Sequence, residues 1–264
     1  MSAPRESSFY ASDGTTLRYF RWDGSGIPVV LLHGFMSDTA HNWRATGVAD
    51  ALAKVGRPVL AMDARGHGLS DKPTDPAAYG EDRMATDVIE LLDHLDVGTF
   101  DLVGYSMGAA VALLVTARDG RVRRLVLGGL GGAVVEGGFA GLSTAAEAVA
   151  EALEADDPAT IEEPVAASFR RFADAVGADR RALAAHVRAP RPSKVPLEGI
   201  AVPTLVMAGH EDRLAPDAER LAAVIPGARH VATGGDHLKA VGTPEFRNEL
   251  VAFLSDQTET SSPR

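Results

Sequence analysis

The chain has 264 residues, of which 45% are hydrophobic and 23% are charged, a composition typical of a globular protein with a sizeable core. Its 26 basic and 36 acidic residues give a formal charge of −10, which argues against a dedicated nucleic-acid binder. It contains no cysteine, which excludes disulfides, thiolate nucleophiles and cysteine-based metal sites.

The N-terminal segment MSAPRESSFY lacks the basic and then apolar pattern of a signal peptide. No apolar run in the sequence approaches the ~20 residues that a membrane-spanning helix needs. We therefore expect a cytoplasmic protein that does not bind a membrane. The sequence carries no signal for the oligomeric state.

Strand signals come first along the chain. The segment SSFYASDGTTLRYFRW predicts two short strands around the Asp13-Gly14 turn, because aspartate and glycine both tolerate a positive φ. The segments IPVVLLHG and RPVLAMD are near-continuous apolar runs, which are typical of strands buried on both faces. The segments FDLVGYS and VRRLVLGG predict two further strands of this kind.

Helical segments separate these strands. The segment EDRMATDVIELLDHLDV has helical periodicity, with its apolar side at Met84, Val88, Leu91, Leu92 and Leu95. The segment MGAAVALLVTARDG predicts a second helix that directly follows a strand. Strands that alternate with helices in this way predict an α/β fold with a mostly parallel sheet, right-handed crossovers and helices on both faces.

The alternation stops between about Gly131 and Pro196, where two alanine-rich segments look helical and a proline-rich segment follows. It resumes afterwards with two more strands, each followed by a helix. We therefore expect one α/β domain formed by residues 1–130 and 197–256, with a short helical cap inserted at 131–196. The polar segment 257–264 is expected to be a frayed tail.

The segment VGYSMGAA places Ser106 between two glycines, where a strand is predicted to end and a helix to begin. A turn this tight strains the serine backbone and exposes the hydroxyl at the carboxyl edge of the sheet. Residues two positions away must be small, and Gly104 and Gly108 meet that need. The context favours Ser106 as a nucleophile over the alternative of a flexible glycine turn with a bystander serine.

A serine nucleophile needs a base that takes its proton, and eight histidines are candidates. His237 is the predicted base, because it lies in a glycine loop after the last predicted strand and is C-terminal to the other candidates. His33 and His67 lie in glycine loops at strand ends, where a structural hydrogen bond is the expected role. The remaining candidates lack such a context: they are His41, His94, His186, His210 and His230.

A carboxylate should orient the imidazole and stabilise its charged form. The segment VMAGHEDRLAP supplies one directly after a strand, and Asp212 is the predicted acid, with Glu211 as the nearest rival. Asp236 lies beside His237 in the sequence and is expected to be a surface or turn residue. The three predicted side chains are far apart in the chain, so the prediction requires the fold to bring them together.

Acyl transfer also needs N–H donors for the developing oxyanion. The backbone N–H of Met107, next to the nucleophile, is one candidate, and that of Phe35 in the segment HGF is the other. Aromatic side chains could line an apolar substrate pocket, although ordinary core packing is the alternative for each. The candidates are Trp43, Tyr105, Phe139, Phe169 and Phe172.

Five segments, in this order, resemble the α/β-hydrolase family of the kind that has a helical cap after the sixth strand: LLHGF, DARGHGLSDKP, VGYSMG, GHEDRLAP and GGDHL. The resemblance covers nearly the whole chain outside the cap. It implies the α/β-hydrolase fold, with Ser106 as nucleophile, Asp212 as acid, His237 as base and the same two oxyanion donors. The chain departs from many relatives in having Asp236, not glycine, before the base, and its cap is short.

The resemblance leaves several reactions open. Family members that open epoxides or remove halogens have an aspartate at the position of the nucleophilic serine. Ser106 therefore argues against both of these reactions. The implied route is an acyl-enzyme on serine, and a small carboxylic ester is the expected substrate. The same three residues also serve carbon–carbon bond hydrolases, thioesterases and perhydrolases, and some relatives bind small molecules without effective turnover.

The cap is the expected selective element. Its first half is acidic and its second half basic, and one of the arginines could hold a substrate carboxylate, with a solvated helix face as the alternative. These arginines are Arg170, Arg171, Arg180, Arg181 and Arg188. No metal or organic cofactor is implied, because the glycine patterns of phosphate and dinucleotide loops are missing. A small-molecule substrate is the expected partner.

Overall fold

An eight-stranded sheet runs through the part of the chain that a computed structural model describes, which is residues 3–137, 146–190 and 195–255. In space the strands follow the order β1-β2-β4-β3-β5-β6-β7-β8. Strand β2 pairs antiparallel with β1 and β4, and every other neighbouring pair is parallel. The strands are β1 (Arg5–Tyr10), β2 (Thr16–Trp22), β3 (Val29–Leu32), β4 (Val59–Met62), β5 (Phe100–Tyr105), β6 (Val122–Gly128), β7 (Thr204–Gly209) and β8 (Arg229–Thr233).

Helices cover both faces of this sheet. Apolar residues of α1 and α8 pack on one face, and those of α2, α3 and α7 pack on the other. The predicted mostly parallel sheet with helices on both faces is therefore confirmed. The helices are α1 (Val48–Lys54), α2 (Glu81–His94), α3 (Met107–Arg118), α4 (Ala146–Glu154), α5 (Pro164–Val176), α6 (Arg180–Val187), α7 (Ala218–Val224) and α8 (Pro244–Ser255).

The local sequence accounts for these elements. All residues of β3, β4 and β5 are buried, as expected for central strands covered on both faces. The predicted hairpin joins β1 to β2, and Gly14 takes a positive φ of 84° in its turn. Helix α2 buries Met84, Val88 and Leu91, which lie on one face because they recur every three to four residues.

The described residues between β6 and β7 include three α-helices, α4, α5 and α6. The side chains of Glu163 and Asp179 cap α5 and α6 by accepting hydrogen bonds from backbone N–H groups of the first turn. These helices pack around a cluster of their own apolar residues that also takes in Met36 from the loop after β3. The sequence predicted helices near α4 and α5, whereas α6 was not recognised. The domain boundaries at residues 131 and 196 remain a prediction.

Some expectations concern residues outside the described ranges: Phe139, the middle of the proline-rich segment at 191–194 and the tail at 257–264. Within the described ranges, none of the helices combines the length and the hydropathy that crossing a bilayer demands. The same residues include no group of three or more His, Asp or Glu side chains arranged to hold a metal ion.

Candidate active site

Ser106 lies in the sharp turn between β5 and α3, with a φ of 53° and a ψ of −115°. A non-glycine residue in this region is strained and persists only when its surroundings hold it. A Cβ on Gly104 would come within 2.2 Å of the carbonyl oxygen of Gly108. A Cβ on Gly108 would come within 2.1 Å of the carbonyl oxygen of Leu32. The predicted need for two glycines around the serine is therefore confirmed.

The three side chains that the sequence predicts to meet lie within hydrogen-bond distance. The Nε2 atom of His237 is 2.9 Å from the Oγ atom of Ser106. The Nδ1 atom of His237 is 2.8 Å from Oδ2 and 3.0 Å from Oδ1 of Asp212. Asp212 follows β7 and His237 follows β8, so both reach the same edge of the sheet as the serine.

The hydrogen bonds around Asp212 define the tautomer of the imidazole. The carboxylate also accepts the backbone N–H groups of Leu214 and Ala215, at 2.9 and 3.0 Å. A carboxylate that accepts every contact leaves the Nδ1 proton of His237 as the donor to Asp212. The lone pair of Nε2 therefore faces the hydroxyl of Ser106 and can take its proton.

The rival acids occupy other positions. Glu211 is exposed and lies 3.4 Å from His210 in an ion-pair geometry. The side chain of Asp236 accepts the backbone N–H groups of Leu238 and Lys239, at 3.1 and 3.0 Å. The turn role expected for Asp236 is therefore confirmed, and it leaves Asp212 as the carboxylate on the imidazole.

Tyr105 also contacts His237. Its hydroxyl donates to the carbonyl oxygen of His237 at 2.7 Å, and the two rings lie 5.5 Å apart. Burial raises the pKa of the Tyr105 hydroxyl, and the charges of Asp212 and Asp236 raise it further. The hydroxyl thus stays protonated and keeps donating. The substrate contact predicted for Tyr105 stays a prediction: Tyr105 borders a cavity that includes Ser106, and its hydroxyl is bonded to the loop of His237.

The two predicted oxyanion donors border the serine. Helix α3 begins at Met107, whose N–H therefore has no acceptor within the helix. The N–H of Phe35 likewise has no acceptor among the described residues. The loop of Phe35 is close to the elbow, because a Cβ on Gly34 would be 3.4 Å from the Cβ of Ser106.

Two cavities meet at Ser106. The first cavity has a volume of about 270 Å³ and is mainly apolar, with Phe169, Phe172 and His186 of the cap on its wall. The second cavity has a volume of about 250 Å³ and is bordered by more polar residues, among them Asn42. Ser106 and His237 line both cavities, so a bound molecule can extend to either side of Ser106.

The aromatic candidates divide between these cavities and the core. Phe172 borders both cavities, and Phe169 borders the first. Trp43 is fully buried in the cluster that joins the sheet to α1 and α8, and it borders neither cavity. The expected substrate contact of Trp43 is corrected accordingly, because its side chain is buried in this cluster.

Three of the cap arginines, Arg170, Arg180 and Arg188, bind other residues of the cap. Arg170 is buried and pairs with Asp174 at 2.9 Å. Arg188 pairs with Glu147 and Glu154, both at 2.8 Å. Neither of them, nor any other lysine or arginine in the described ranges, borders the two cavities. The idea that a cap arginine binds a substrate carboxylate therefore finds no counterpart among the described residues.

Three buried imidazoles lie beside the Phe35 loop. His33 and His67 have ring centroids 5.2 Å apart, and those of His67 and His186 are 5.7 Å apart. The Nδ1–H of His67 donates to the carbonyl oxygen of Arg65 at 2.9 Å, as expected for a structural histidine. Burial lowers the pKa of His67 well below its usual range, and His33 and His186 lower it further.

Sequence reasoning missed His186 as a cavity residue. It lies near the end of α6, and its ring contacts those of Phe35 and Tyr79 with centroids 5.2 and 5.5 Å away. The available signal was Asp179 as a helix cap before the segment RRALAAHV. That signal predicts the helix, whereas which side chain borders the cavity depends on how the cap packs.

Comparisons with known proteins identify the fold family. A family model described as alpha/beta hydrolase fold matches residues 27–178. A hydrolase from Pseudomonas aeruginosa PA01 has a similar structure, with a TM-score of 0.78, 30% identity and coverage of 96% of this chain and 99% of the other. An esterase from Exiguobacterium antarcticum gives a TM-score of 0.77 at 26% identity and covers 95% of this chain and 99% of its own.

A curated relative, the 2-hydroxymuconate semialdehyde hydrolase of Pseudomonas sp. (strain CF600), is 40% identical over 112 residues. The match covers 41% of this chain and 38% of the relative. The chain spans about a third of the length of the first curated relatives that it matches.

Proposed function

This chain belongs to the alpha/beta hydrolase fold family, and we propose that within it the chain is a serine hydrolase that cleaves a small carboxylic ester. The observation that carries the proposal is the imidazole of His237, 2.9 Å from the hydroxyl of Ser106 and 2.8 Å from the carboxylate of Asp212. A binding protein needs no base on a strained serine, so this arrangement favours turnover over binding alone.

The reaction proceeds through an acyl-enzyme. The Oγ of Ser106 attacks the ester carbonyl as its proton passes to Nε2 of His237, and Asp212 stabilises the resulting imidazolium. The carbonyl oxygen becomes an oxyanion that accepts the N–H groups of Phe35 and Met107. When the tetrahedral intermediate collapses, the imidazolium protonates the leaving alcohol. Water then attacks the acyl group by the same steps and restores the serine.

The cavities favour an uncharged substrate with an apolar group. The first cavity is bordered by phenylalanine, methionine, leucine, valine and alanine side chains. No lysine or arginine in the described part of the chain borders either cavity, so an anionic group would be buried there without a partner cation. A short or medium acyl chain, or an aromatic acyl group, gains by burial in such a cavity.

The direct test compares the wild type with Ser106→Ala on p-nitrophenyl acetate and butyrate. We expect the variant to lose nearly all turnover, whereas Ser168→Ala, which changes another serine beside the same cavity, keeps it. A fluorophosphonate should phosphonylate the wild type and Ser168→Ala, adding its phosphonyl group as fluoride leaves, and should leave Ser106→Ala unmodified. Equal rates in the wild type and Ser106→Ala would overturn the proposal.

Carbon–carbon bond hydrolysis is the second candidate, favoured by the similarity to the relative named 2-hydroxymuconate semialdehyde hydrolase. The test adds 2-hydroxymuconate semialdehyde to the same set of variants. Faster turnover of this compound than of any ester would replace the first candidate with the second, because both reactions use the same three side chains. Turnover of esters alone would leave the ester proposal standing.

A further inference from the structure

In the loop after β3, the main chain of Gly34 takes part in three hydrogen bonds. Its N–H donates to the Oδ1 atom of Asn42 at 2.9 Å. Its carbonyl oxygen accepts the Nδ1–H of His33 at 2.8 Å and the N–H of Ser37 at 3.2 Å. Both peptide groups that flank Gly34 are therefore fixed in direction, one of them by two donors.

The tautomer of His33 is set by a second hydrogen bond. The backbone N–H of Ala64 donates to Nε2 of His33 at 3.0 Å. Because Nε2 accepts, the ring proton is on Nδ1, where it donates to the carbonyl oxygen of Gly34. The buried ring therefore connects the main chain at Gly34 to the main chain at Ala64 through two hydrogen bonds.

The geometry of a trans peptide carries this constraint to the active site. The carbonyl of Gly34 and the N–H of Phe35 belong to the same peptide group, and no peptide bond among the described residues is cis. In a trans peptide the C=O and N–H bonds point in opposite directions, so holding one fixes the other. The N–H of Phe35 has no acceptor among the described residues, and its loop lies beside Ser106.

We propose that His33 and Asn42 are positioning residues, whose hydrogen bonds to Gly34 aim the N–H of Phe35 at the oxyanion. The proposal rests on the proposed function, because it concerns the donor that stabilises the tetrahedral intermediate. Neither side chain needs to touch the reacting atoms. Their effect is to remove the reorganisation that a free loop would undergo before it could donate.

The unpaired nitrogen of Asn42 supports a functional reason for this residue. Its Nδ2 atom is buried and has no hydrogen-bond partner in the described part of the chain. Burying an unpaired donor costs stability, so the amide is retained for its oxygen, which holds Gly34. Met36, two residues after Gly34, has a strained φ of 58°, which indicates that the loop is held in one conformation.

A pair of His33 variants separates the two hydrogen bonds of the ring. In His33→Asn, the amide nitrogen lies near the former Nδ1 position, so it keeps the bond to Gly34 and loses that to Ala64. In His33→Gln, the amide oxygen reaches the former Nε2 position, so it keeps the bond to Ala64 and loses that to Gly34. Both variants remove the ring, so a merely structural role would lower activity and stability alike in the two.

We expect His33→Gln to lower kcat on p-nitrophenyl butyrate by about 10- to 100-fold, with KM changed by less than about threefold. The loss stays below the ~10²–10³ of a missing donor, because Ser37 still holds the carbonyl of Gly34. His33→Asn should keep kcat within about threefold of the wild type. Phenylboronic acid forms a tetrahedral adduct on Ser106 that places an oxygen at the oxyanion position. The affinity of His33→Gln for this compound should therefore fall in parallel with kcat.

The outcomes distinguish this proposal from the one on which it rests. If Ser106→Ala is inactive but His33→Gln and His33→Asn have equal kcat and equal boronate affinity, the positioning role is wrong. If Ser106→Ala retains activity, the proposed function fails first. Should the His33 variants not fold, Asn42→Leu removes the other bond to Gly34 and must lower kcat and boronate affinity together. A normal kcat in folded Asn42→Leu would then overturn the proposal.

Discussion

Replacing Asp212 by asparagine tests how the base is oriented. The Oδ1 atom of Asp212 accepts the N–H groups of Leu214 and Ala215 at 2.9 and 3.0 Å. In Asp212→Asn, the amide oxygen must stay on these two donors, which turns the amide nitrogen towards Nδ1 of His237. An amide nitrogen only donates, so the proton of the imidazole has to move from Nδ1 to Nε2.

This change of tautomer removes the base without removing the histidine. An Nε2–H that faces Ser106 at 2.9 Å cannot accept the proton of the hydroxyl. We expect kcat to fall by about 10³- to 10⁴-fold, as a wrong tautomer does in a serine triad. At about 1.36 kcal/mol per tenfold, this is a loss of about 4–5.5 kcal/mol of transition-state stabilisation.

The measurement is kcat on p-nitrophenyl butyrate, with the urea midpoint of unfolding as the check on the fold. Glu211→Gln is the matched control, because it makes the same change in the neighbouring exposed acid. We expect the control to keep kcat within about twofold, as surface substitutions usually do. A loss below about tenfold in a folded Asp212→Asn would refute the tautomer argument.

Three further predictions concern stability and selectivity. His67 is buried with a lowered pKa, so below its usual pKa of 6.5 the unfolded chain binds a proton that the folded chain does not. The free energy of unfolding should therefore fall by up to about 1.4 kcal/mol for each unit by which the pH is lowered below this value. His67→Gln should reduce this slope in urea titrations between pH 7 and 5, and an unchanged slope in the variant would contradict the prediction. Gly108→Ala should lower the free energy of unfolding by about 1–3 kcal/mol and abolish ester turnover, whereas Gly120→Ala, with open space around it, should do neither; wild-type activity in Gly108→Ala would contradict the steric argument. Phe172→Ala should raise the ratio of kcat/KM for octanoate over butyrate esters by about tenfold, and an unchanged chain-length profile would exclude Phe172 from the acyl site.

The sheet could be predicted from sequence because burial on both faces leaves a direct trace. Strands β3 and β4 are uninterrupted apolar runs between loop signals, which neither an exposed strand nor an amphipathic helix produces. Helix α6 escaped prediction for the opposite reason. It has eight residues and begins with two arginines, and half of its buried positions are alanine, so its apolar periodicity is weak. The conformation of α6 is determined by its packing against α4 and by its N-terminal cap, Asp179.

The site divides in the same way. The turn at Ser106 could be predicted because its backbone restricts the flanking residues to glycine. A Cβ added to Gly108 or Gly104 would come within 2.1 or 2.2 Å of a carbonyl oxygen, which shows how little space there is. Asp212 and His237 followed from chain order and loop position. Trp43 could not be placed, because an aromatic residue fits the core and a pocket equally well in sequence. His33 gave a sequence signal for a structural bond, but not for the peptide group that it holds.

The packing of Met36 links the selective and the chemical parts of the site. Its side chain belongs to the apolar cluster of α4, α5 and α6, and its main chain directly follows Phe35. Met36 borders both cavities, and Phe35 packs against the same cap cluster. A change in the cap that alters the cavity wall therefore also affects the loop that carries the proposed oxyanion donor, Phe35. Substitutions in the cap should alter kcat as well as KM, because the cavity wall and the donor loop share one packed cluster.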